Sequence, residues 1–176
     1  RRSSSAASDV YKRQVHGLAW LATYATAMQQ MQNWAEKLHS DGEFGEIEQL
    51  LHQIGTSEYH AQVLGGIPMS QGEIVRLSDI GISEAAIDKY RSADVVELSN
   101  KGNSQDARMR LVRLMQDHSA EIITGKSGLD DELEMIREQF RKFSIDKVLP
   151  NAHEWHLNDE LIPVSYTHLR AHETPV

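Results

Sequence analysis

Hydrophobic and polar positions recur at helical spacing along most of this chain. In residues 15–39 two neighbouring helix faces are apolar, and so wide an apolar surface is typical of a helix buried on more than one side. One face consists of Leu18, Leu21, Ala25, Met28 and Ala35, and the other of Trp20, Tyr24, Ala27, Met31, Trp34 and Leu38. The sequence Ser40-Asp41-Gly42 should end this helix, because glycine accepts the left-handed backbone of a C-cap.

Four further helices are predicted between residues 44 and 118. The first covers residues 44–63, has a weak point at residues 55–57, and stops at Gly65-Gly66-Ile67-Pro68. The next is short, because Ser70-Gln71-Gly72-Glu73 fits a capping box for a helix that runs through Arg76. The last two cover residues 85–98, with an N-cap at Ser83, and residues 107–118.

A strongly amphipathic helix is predicted from Leu129 onward. Its first turn is acidic and its C-terminal half is basic, and both match the helix dipole. Its apolar stripe consists of Leu133, Ile136, Phe140, Phe143 and Val148. Pro150 should end or kink it. Because no stretch alternates with the period of a strand, we predict an all-α fold.

The two ends of the chain lack this pattern, and their coding sequences can be complementary. One DNA segment that encodes SDVYKRQ at residues 8–14 has a reverse complement that encodes VSYTHL at residues 164–169. An inverted repeat around an insert is typical of transposon ends or sequencing adapters. We therefore interpret residues 1–14 and 164–176 as adapter-derived and disordered, and the interval 15–163 as a fragment.

Composition excludes several classes of function. The interval 15–163 holds 13 basic and 24 acidic residues, a net charge of −11. A chain this acidic, without basic clusters, is a poor partner for nucleic acid. It has no cysteine, which excludes disulfides, thiolate metal sites and thiol catalysis. No apolar run reaches the roughly 20 residues of a membrane span, and we expect a cytoplasmic protein that uses no membrane.

The histidines suggest metal sites only weakly. His153-Glu154-Trp155-His156 places its histidines three residues apart rather than four, without a third ligand. His52 and His60 lie two helical turns apart with Glu48 nearby, but neither has the glutamate three residues earlier that di-iron bundles use. We expect surface, capping or structural roles for these residues and no metal site. The remaining histidines considered, at or near predicted helix ends or on polar faces, are His16, His39 and His118.

No nucleotide loop or catalytic set is visible either. The glycine-rich residues 65–72 follow no strand and lack a dinucleotide or P-loop pattern, so a helix connection is the better interpretation. We interpret Trp20, Trp34, Phe140 and Phe143 as core residues. No Ser–His–Asp set can be assembled locally. The sequence therefore assigns no catalytic, cofactor-binding or metal-binding residue.

Residues 129–163 resemble the start of an acyl-CoA dehydrogenase. The segment LDDELEMIREQFRKFSIDKVLPNAHEWHLNDELIP combines an amphipathic helix bearing Arg and Phe with a Val-x-Pro-x-Ala-x-x-Trp-like stretch, Val148 to Trp155. HGLAWLATY at residues 16–24 and GGIPMSQGEIVR at residues 65–76 resemble the long N-terminal extension of the methylsuccinyl-CoA dehydrogenase branch of that family. The expected organisation is a helical extension, residues 15–126, followed by a truncated start of the family's N-terminal α-domain, residues 127–163.

The resemblance implies an FAD-dependent enzyme that dehydrogenates an acyl-CoA thioester between its α and β carbons. In this branch the substrate would be methylsuccinyl-CoA and the product mesaconyl-CoA. The parent enzyme would bind FAD and acyl-CoA and form a homo-oligomer. The family's catalytic glutamate and its flavin and CoA contacts lie beyond residue 163, so we expect this fragment to bind no FAD and to be inactive. An alternative from another class is a helical protein-interaction module without enzymatic activity.

Overall fold

A computed structural model describes residues 3–69, 72–117 and 126–161 of the chain. The chain divides into two compact units, Arg1–Gly128 and Leu129–Val176, two residues after the predicted boundary between residues 126 and 127. Helices make up most of the described residues, which confirms the all-α fold. None of the helices described is both long enough and apolar enough to cross a bilayer.

Helix α1 spans Ser3–Ser40 and packs on the next helix, and its first predicted face is only partly buried. Leu18 is 55% exposed, and Ala25 is also exposed. The prediction of burial on more than one side is therefore confirmed only in part: Leu21 and Met28 of the same face are half-buried against the core, and Ala35 is buried. The second predicted face is buried or half-buried at every position: Trp20, Tyr24, Ala27, Met31, Trp34 and Leu38.

The N-terminal part of α1 differs from the disorder expected for residues 1–14, since residues 3–14 are described as helical. The Arg13 guanidinium donates to the Ile74 carbonyl at 2.9 Å, and the Gln14 side-chain amide donates to the Asp79 carbonyl at 3.4 Å. These residues contain no proline or glycine, so an existing helix can extend backwards through them. Their origin in adapter DNA stays a prediction.

Helix α2 spans Glu46–Gly65 and is continuous across residues 55–57, where the sequence indicated a weak point. Thr56 Oγ1 donates to the His52 carbonyl at 2.6 Å, and the fully buried Ser57 Oγ donates to the Leu98 carbonyl at 2.7 Å. A Cβ atom on Gly55 would collide with the end of Met31. These small residues therefore permit close helix packing instead of forming a turn.

A short β-hairpin follows α2 and replaces the helix predicted through Arg76. Strand β1, Ile67–Pro68, pairs antiparallel with strand β2, Ile74–Val75. The predicted N-cap, Ser70, lies outside the described residues. The helix prediction is wrong because β-branched residues that bury alternate side chains favour a strand, and Ile67 and Val75 are each only 1% exposed.

The helix predicted at residues 85–98 is two helices, α3 at Glu84–Tyr90 and α4 at Ala93–Lys101. Ser83 caps α3 as predicted, and its hydroxyl accepts a hydrogen bond from the Ala86 amide. Ser92 caps α4 in the same way, through the Val95 amide. A second N-cap in the middle of the apolar pattern therefore divides the segment.

Helix α5 spans Gln105–Asp117 and completes the described helices of the first unit; α2 packs on both α4 and α5. The core lies where α1, α2, the hairpin, the 3₁₀ turn Leu77–Ile80 and α3 meet. Its buried residues are Tyr24, Val63, Ile67, Met69, Val75, Leu77 and Ile87.

The second unit contains α6 at Asp131–Phe143 and α7 at Leu149–Leu157, joined by a π-helical turn at Ser144–Val148. Asp130 caps α6 by accepting the Leu133 amide at 2.9 Å, behind the acidic first turn that the sequence predicts. Pro150 lies at the start of α7. In a regular α-helix its ring would collide with the carbonyl four residues earlier, and the π turn changes that hydrogen-bond register. The regular α-helix predicted from Leu129 therefore ends at the π turn just before Pro150, close to the predicted position.

Candidate functional site

Helix α2 carries His52 and His60, whose spacing suggests a metal site only weakly. His52 is half-buried against Phe44, with 6.3 Å between the ring centroids. Its Nε2 atom is buried and has no hydrogen-bond partner in the part of the chain that the structure describes. Burial lowers the pKa of His52, because a charged imidazolium would lose hydration there.

His60 forms a different contact on the same helix. Its Nδ1 atom lies 2.6 Å from the Tyr90 hydroxyl, which joins α2 to α3. Burial lowers the pKa of His60 and raises the pKa of Tyr90, so both side chains stay uncharged near neutral pH. Glu48 joins neither histidine, and instead accepts the Lys126 amide at 2.9 Å. Within the described ranges no group of three His, Cys, Asp or Glu side chains could hold a metal ion.

The remaining histidines also lie apart from one another. His153 and His156 are exposed on α7. His16 accepts a hydrogen bond from the Trp20 indole at 3.1 Å, and His39 is exposed at the end of α1. His118 falls outside the described residues. The structure therefore brings none of the sequence candidates together into a site.

An open groove lies along α5 and the start of α2, with a volume of about 560 Å³. Arg110 forms an ion pair with Glu46 across this groove. Both acidic and basic side chains line it. No local sequence pattern indicates this groove, because Glu46 and Arg110 are 64 residues apart. The lining residues are Glu46, Gln105, Asp106, Met109, Arg110, Arg113, Leu114 and Asp117.

The most distinctive surface of the chain is the apolar face of α6, formed by Leu133, Ile136 and Phe140. These residues are 47%, 44% and 50% exposed. The prediction that Phe140 is a core residue is therefore wrong for this chain, since periodicity identifies an apolar face but not what covers it. Phe143, Trp20 and Trp34 are half-buried. A helix face of this kind is typical of a docking surface.

Helix α6 also carries two ion pairs between its own side chains. Arg137 pairs with Glu134, and Arg141 pairs with Glu138 at 3.2 Å, each one helical turn apart. These exposed pairs contribute a few tenths of a kcal/mol each to helix stability. The exposed apolar residues and the two ion pairs therefore lie on the same helix.

Comparison with known proteins identifies one close relative. No family model matches the chain. The chain is 48% identical over 161 residues to (2S)-methylsuccinyl-CoA dehydrogenase of Cereibacter sphaeroides, and the match covers 92% of this chain and 29% of that enzyme. This match confirms the predicted resemblance to an acyl-CoA dehydrogenase. The chain spans less than a third of the relative's length.

The extent of this match bears on the two chain ends. The 161 matched residues exceed the 149 of the interval 15–163. The match therefore includes at least 12 of the residues that we interpreted as adapter-derived.

Proposed function

We propose that this chain is the N-terminal part of an FAD-dependent acyl-CoA dehydrogenase that converts methylsuccinyl-CoA to mesaconyl-CoA. The observation that carries the proposal is 48% identity to a (2S)-methylsuccinyl-CoA dehydrogenase across 92% of the chain. That match extends through the helical extension as well as through the start of the dehydrogenase-like segment. The extension is the part that resembles this branch rather than the family in general.

The architecture of the second unit supports the same proposal. Helix α6 has an acidic N-cap and first turn, a basic last turn, and an apolar face with Leu133, Ile136 and Phe140 exposed. Burying one such side chain contributes about 1.5–3 kcal/mol. In our proposal this face packs against the remainder of the parent enzyme, and the first unit is a structural extension.

The described residues do not fit FAD. In the described part of the glycine-rich segment, Gly65 ends α2, and Gly66 and Gly72 have positive φ next to the short strands β1 and β2. The element that follows β2 is the short 3₁₀ turn Leu77–Ile80, not a helix of eight or more residues. These described residues therefore offer no row of helix N-terminal amides for a pyrophosphate. The α5 groove has acidic residues beside its arginines. In our proposal FAD, the acyl-CoA and the catalytic glutamate are bound by the rest of the parent protein, and this chain alone is inactive.

The proposal is tested on the full-length protein recovered from the native gene. We expect the purified protein to contain bound FAD, seen by its visible absorbance, and to reduce an artificial electron acceptor with methylsuccinyl-CoA. Butyryl-CoA and isobutyryl-CoA serve as comparison substrates at equal concentration. FAD with activity on another acyl-CoA alone would contradict the substrate, and a protein without FAD would contradict the enzyme class. The second result would favour the helical interaction module.

A further inference from the structure

Residues 126–128, which we name the tether, lie against α1 and α2 in the first unit and precede α6 in the sequence. The backbone of the tether is held from both sides. The Trp34 indole donates to the Lys126 carbonyl at 2.9 Å, and the Lys37 ammonium donates to the Gly128 carbonyl at 2.6 Å. In the opposite direction, the Lys126 amide donates to Glu48 Oε1 at 2.9 Å.

Glu48 is the deepest of these partners, at 6% exposed. A buried carboxylate is costly unless hydrogen bonds compensate for its lost hydration. The Lys126 amide supplies one such bond from a residue 78 positions away in the sequence. The Lys126 ammonium also pairs with Glu43 at 3.3 Å, an exposed contact that contributes little by itself. The burial of Glu48 is thus directly linked to the position of the tether.

Gly128 fits the same surface by shape. Its φ is +67°, in the left-handed region that disfavours other residues, and a Cβ atom there would lie 3.1 Å from Trp34 Cδ1. The indole therefore contacts the tether at both ends, through a hydrogen bond to Lys126 and by close approach to Gly128. The hydrogen bond to Lys126 and the close packing against Gly128 thus favour the same backbone conformation of the tether.

We infer that Trp34, Lys37 and Glu48 form an intramolecular binding site for the tether and anchor the chain at the end of the first unit. Only Leu129 separates the anchored Gly128 from Asp130, the N-cap of α6. The site gives these three side chains a common task, which is to hold residues 126–128 against α1 and α2 within the first unit. It depends on contacts within the first unit and is independent of the proposed function.

Two readouts on the full chain test this site: hydrogen exchange of the Lys126 amide, and tryptic cleavage after Lys126. In Glu48→Leu and in Trp34→Phe we expect exchange and cleavage to accelerate about tenfold or more, because each removes a hydrogen bond to the tether. Glu48→Gln keeps an acceptor oxygen and should retain most of the protection. Glu46→Ala removes an exposed glutamate of the same helix that pairs with Arg110, and it serves as the matched control.

Circular dichroism separates loss of the site from loss of the fold. Leucine leaves no unpaired charge at position 48, and Trp34→Phe keeps an aromatic ring in place, so at least one variant should fold. Faster exchange at Lys126 in a folded variant, with Glu46→Ala unchanged, supports the anchor. Folded Glu48→Leu and Trp34→Phe chains that both protect Lys126 as well as the unmodified chain would overturn it. An equal loss of protection in Glu46→Ala would also overturn it.

Discussion

At the scale of single residues, small side chains determine how closely the helices of the first unit pack. Gly102 ends α4 directly over α2, and a Cβ atom there would lie 2.8 Å from Ser57 Cβ and 2.8 Å from the Leu98 carbonyl. Neither atom can move easily, since one belongs to a fully buried serine and the other to backbone. The local sequence pattern around Gly102 contains no information about Ser57, a neighbour 45 positions away.

We predict that Gly102→Ala lowers the free energy of unfolding by about 1–3 kcal/mol through overpacking. Gly65→Ala is the matched control, because Gly65 is also helical and nothing lies within 4 Å of its added Cβ. Urea unfolding followed by circular dichroism measures both. A Gly102→Ala chain as stable as the control would show that α2 and α4 do not approach as described.

The two half-buried histidines of α2, His52 and His60, predict that the free energy of unfolding depends on pH. Burial lowers the pKa of His52 and of His60 from the ordinary value of 6.5. Below that value the unfolded chain binds protons more readily than the folded chain, so stability is complete above about pH 6.5 and decreases as the pH falls toward the lowered values.

We therefore expect the melting temperature to fall between about pH 7.5 and pH 5.5, above the range in which carboxylates titrate. His52→Gln with His60→Gln should flatten this dependence. His153→Gln with His156→Gln, both on exposed positions of α7, should leave it unchanged. An equally steep profile in the first double variant would contradict the assignment to the buried pair.

At the scale of elements, long periodic segments were predictable and short interruptions were not. The pattern correctly places α2, α5 and α6 within a few residues, because each has an apolar stripe at helical spacing. The β-hairpin was missed because two-residue strands are too short to show alternation, and tertiary burial of Ile67 and Val75 decides their conformation. The break between α3 and α4 was also missed, because a single N-cap residue, Ser92, marks it within an otherwise apolar helical pattern.

Ser92, the N-cap of α4, leads to a prediction about the stability of the chain. Ser92→Ala removes the hydroxyl that accepts the Val95 amide and should cost about 1 kcal/mol. Ser92→Asp keeps an acceptor and adds a negative charge at the helix N-terminus, so it should restore the stability. Thermal unfolding of the three chains tests this order. If Ser92→Ala were as stable as the unmodified chain, α3 and α4 would be better explained as one continuous helix.

At the scale of the whole molecule, the likeness to acyl-CoA dehydrogenases lies in the amino-acid sequence and not in a set of catalytic or cofactor-binding residues. Residues 129–163 and the extension indicated the family, and the close relative confirms that likeness. No pocket, metal cluster or catalytic set in the described residues indicates the reaction. The sequence could not predict the α5 groove or the tether contacts, because each depends on residues far apart in the chain, such as Glu48 and Lys126.

The exposed apolar face of α6 predicts self-association of the isolated chain. We expect it to oligomerise or aggregate through the surface that includes Phe140, Phe143 and Trp155, and to bind no FAD, in size-exclusion chromatography with light scattering. Ile136→Lys with Phe140→Lys should shift the population toward monomer. Met109→Lys, on an exposed apolar residue of α5, is the control. A clean monomer of the unmodified chain would contradict this prediction.

Recovery of the native gene is the sharpest test of the proposal that this chain is the first part of a longer flavoenzyme. We expect the coding sequence to continue past Pro163 into a flavin-binding domain, with native residues in place of the adapter-like strings at both ends. A stop codon soon after Pro163, with no flavoprotein sequence beyond it, would contradict the claim and leave a helical interaction module.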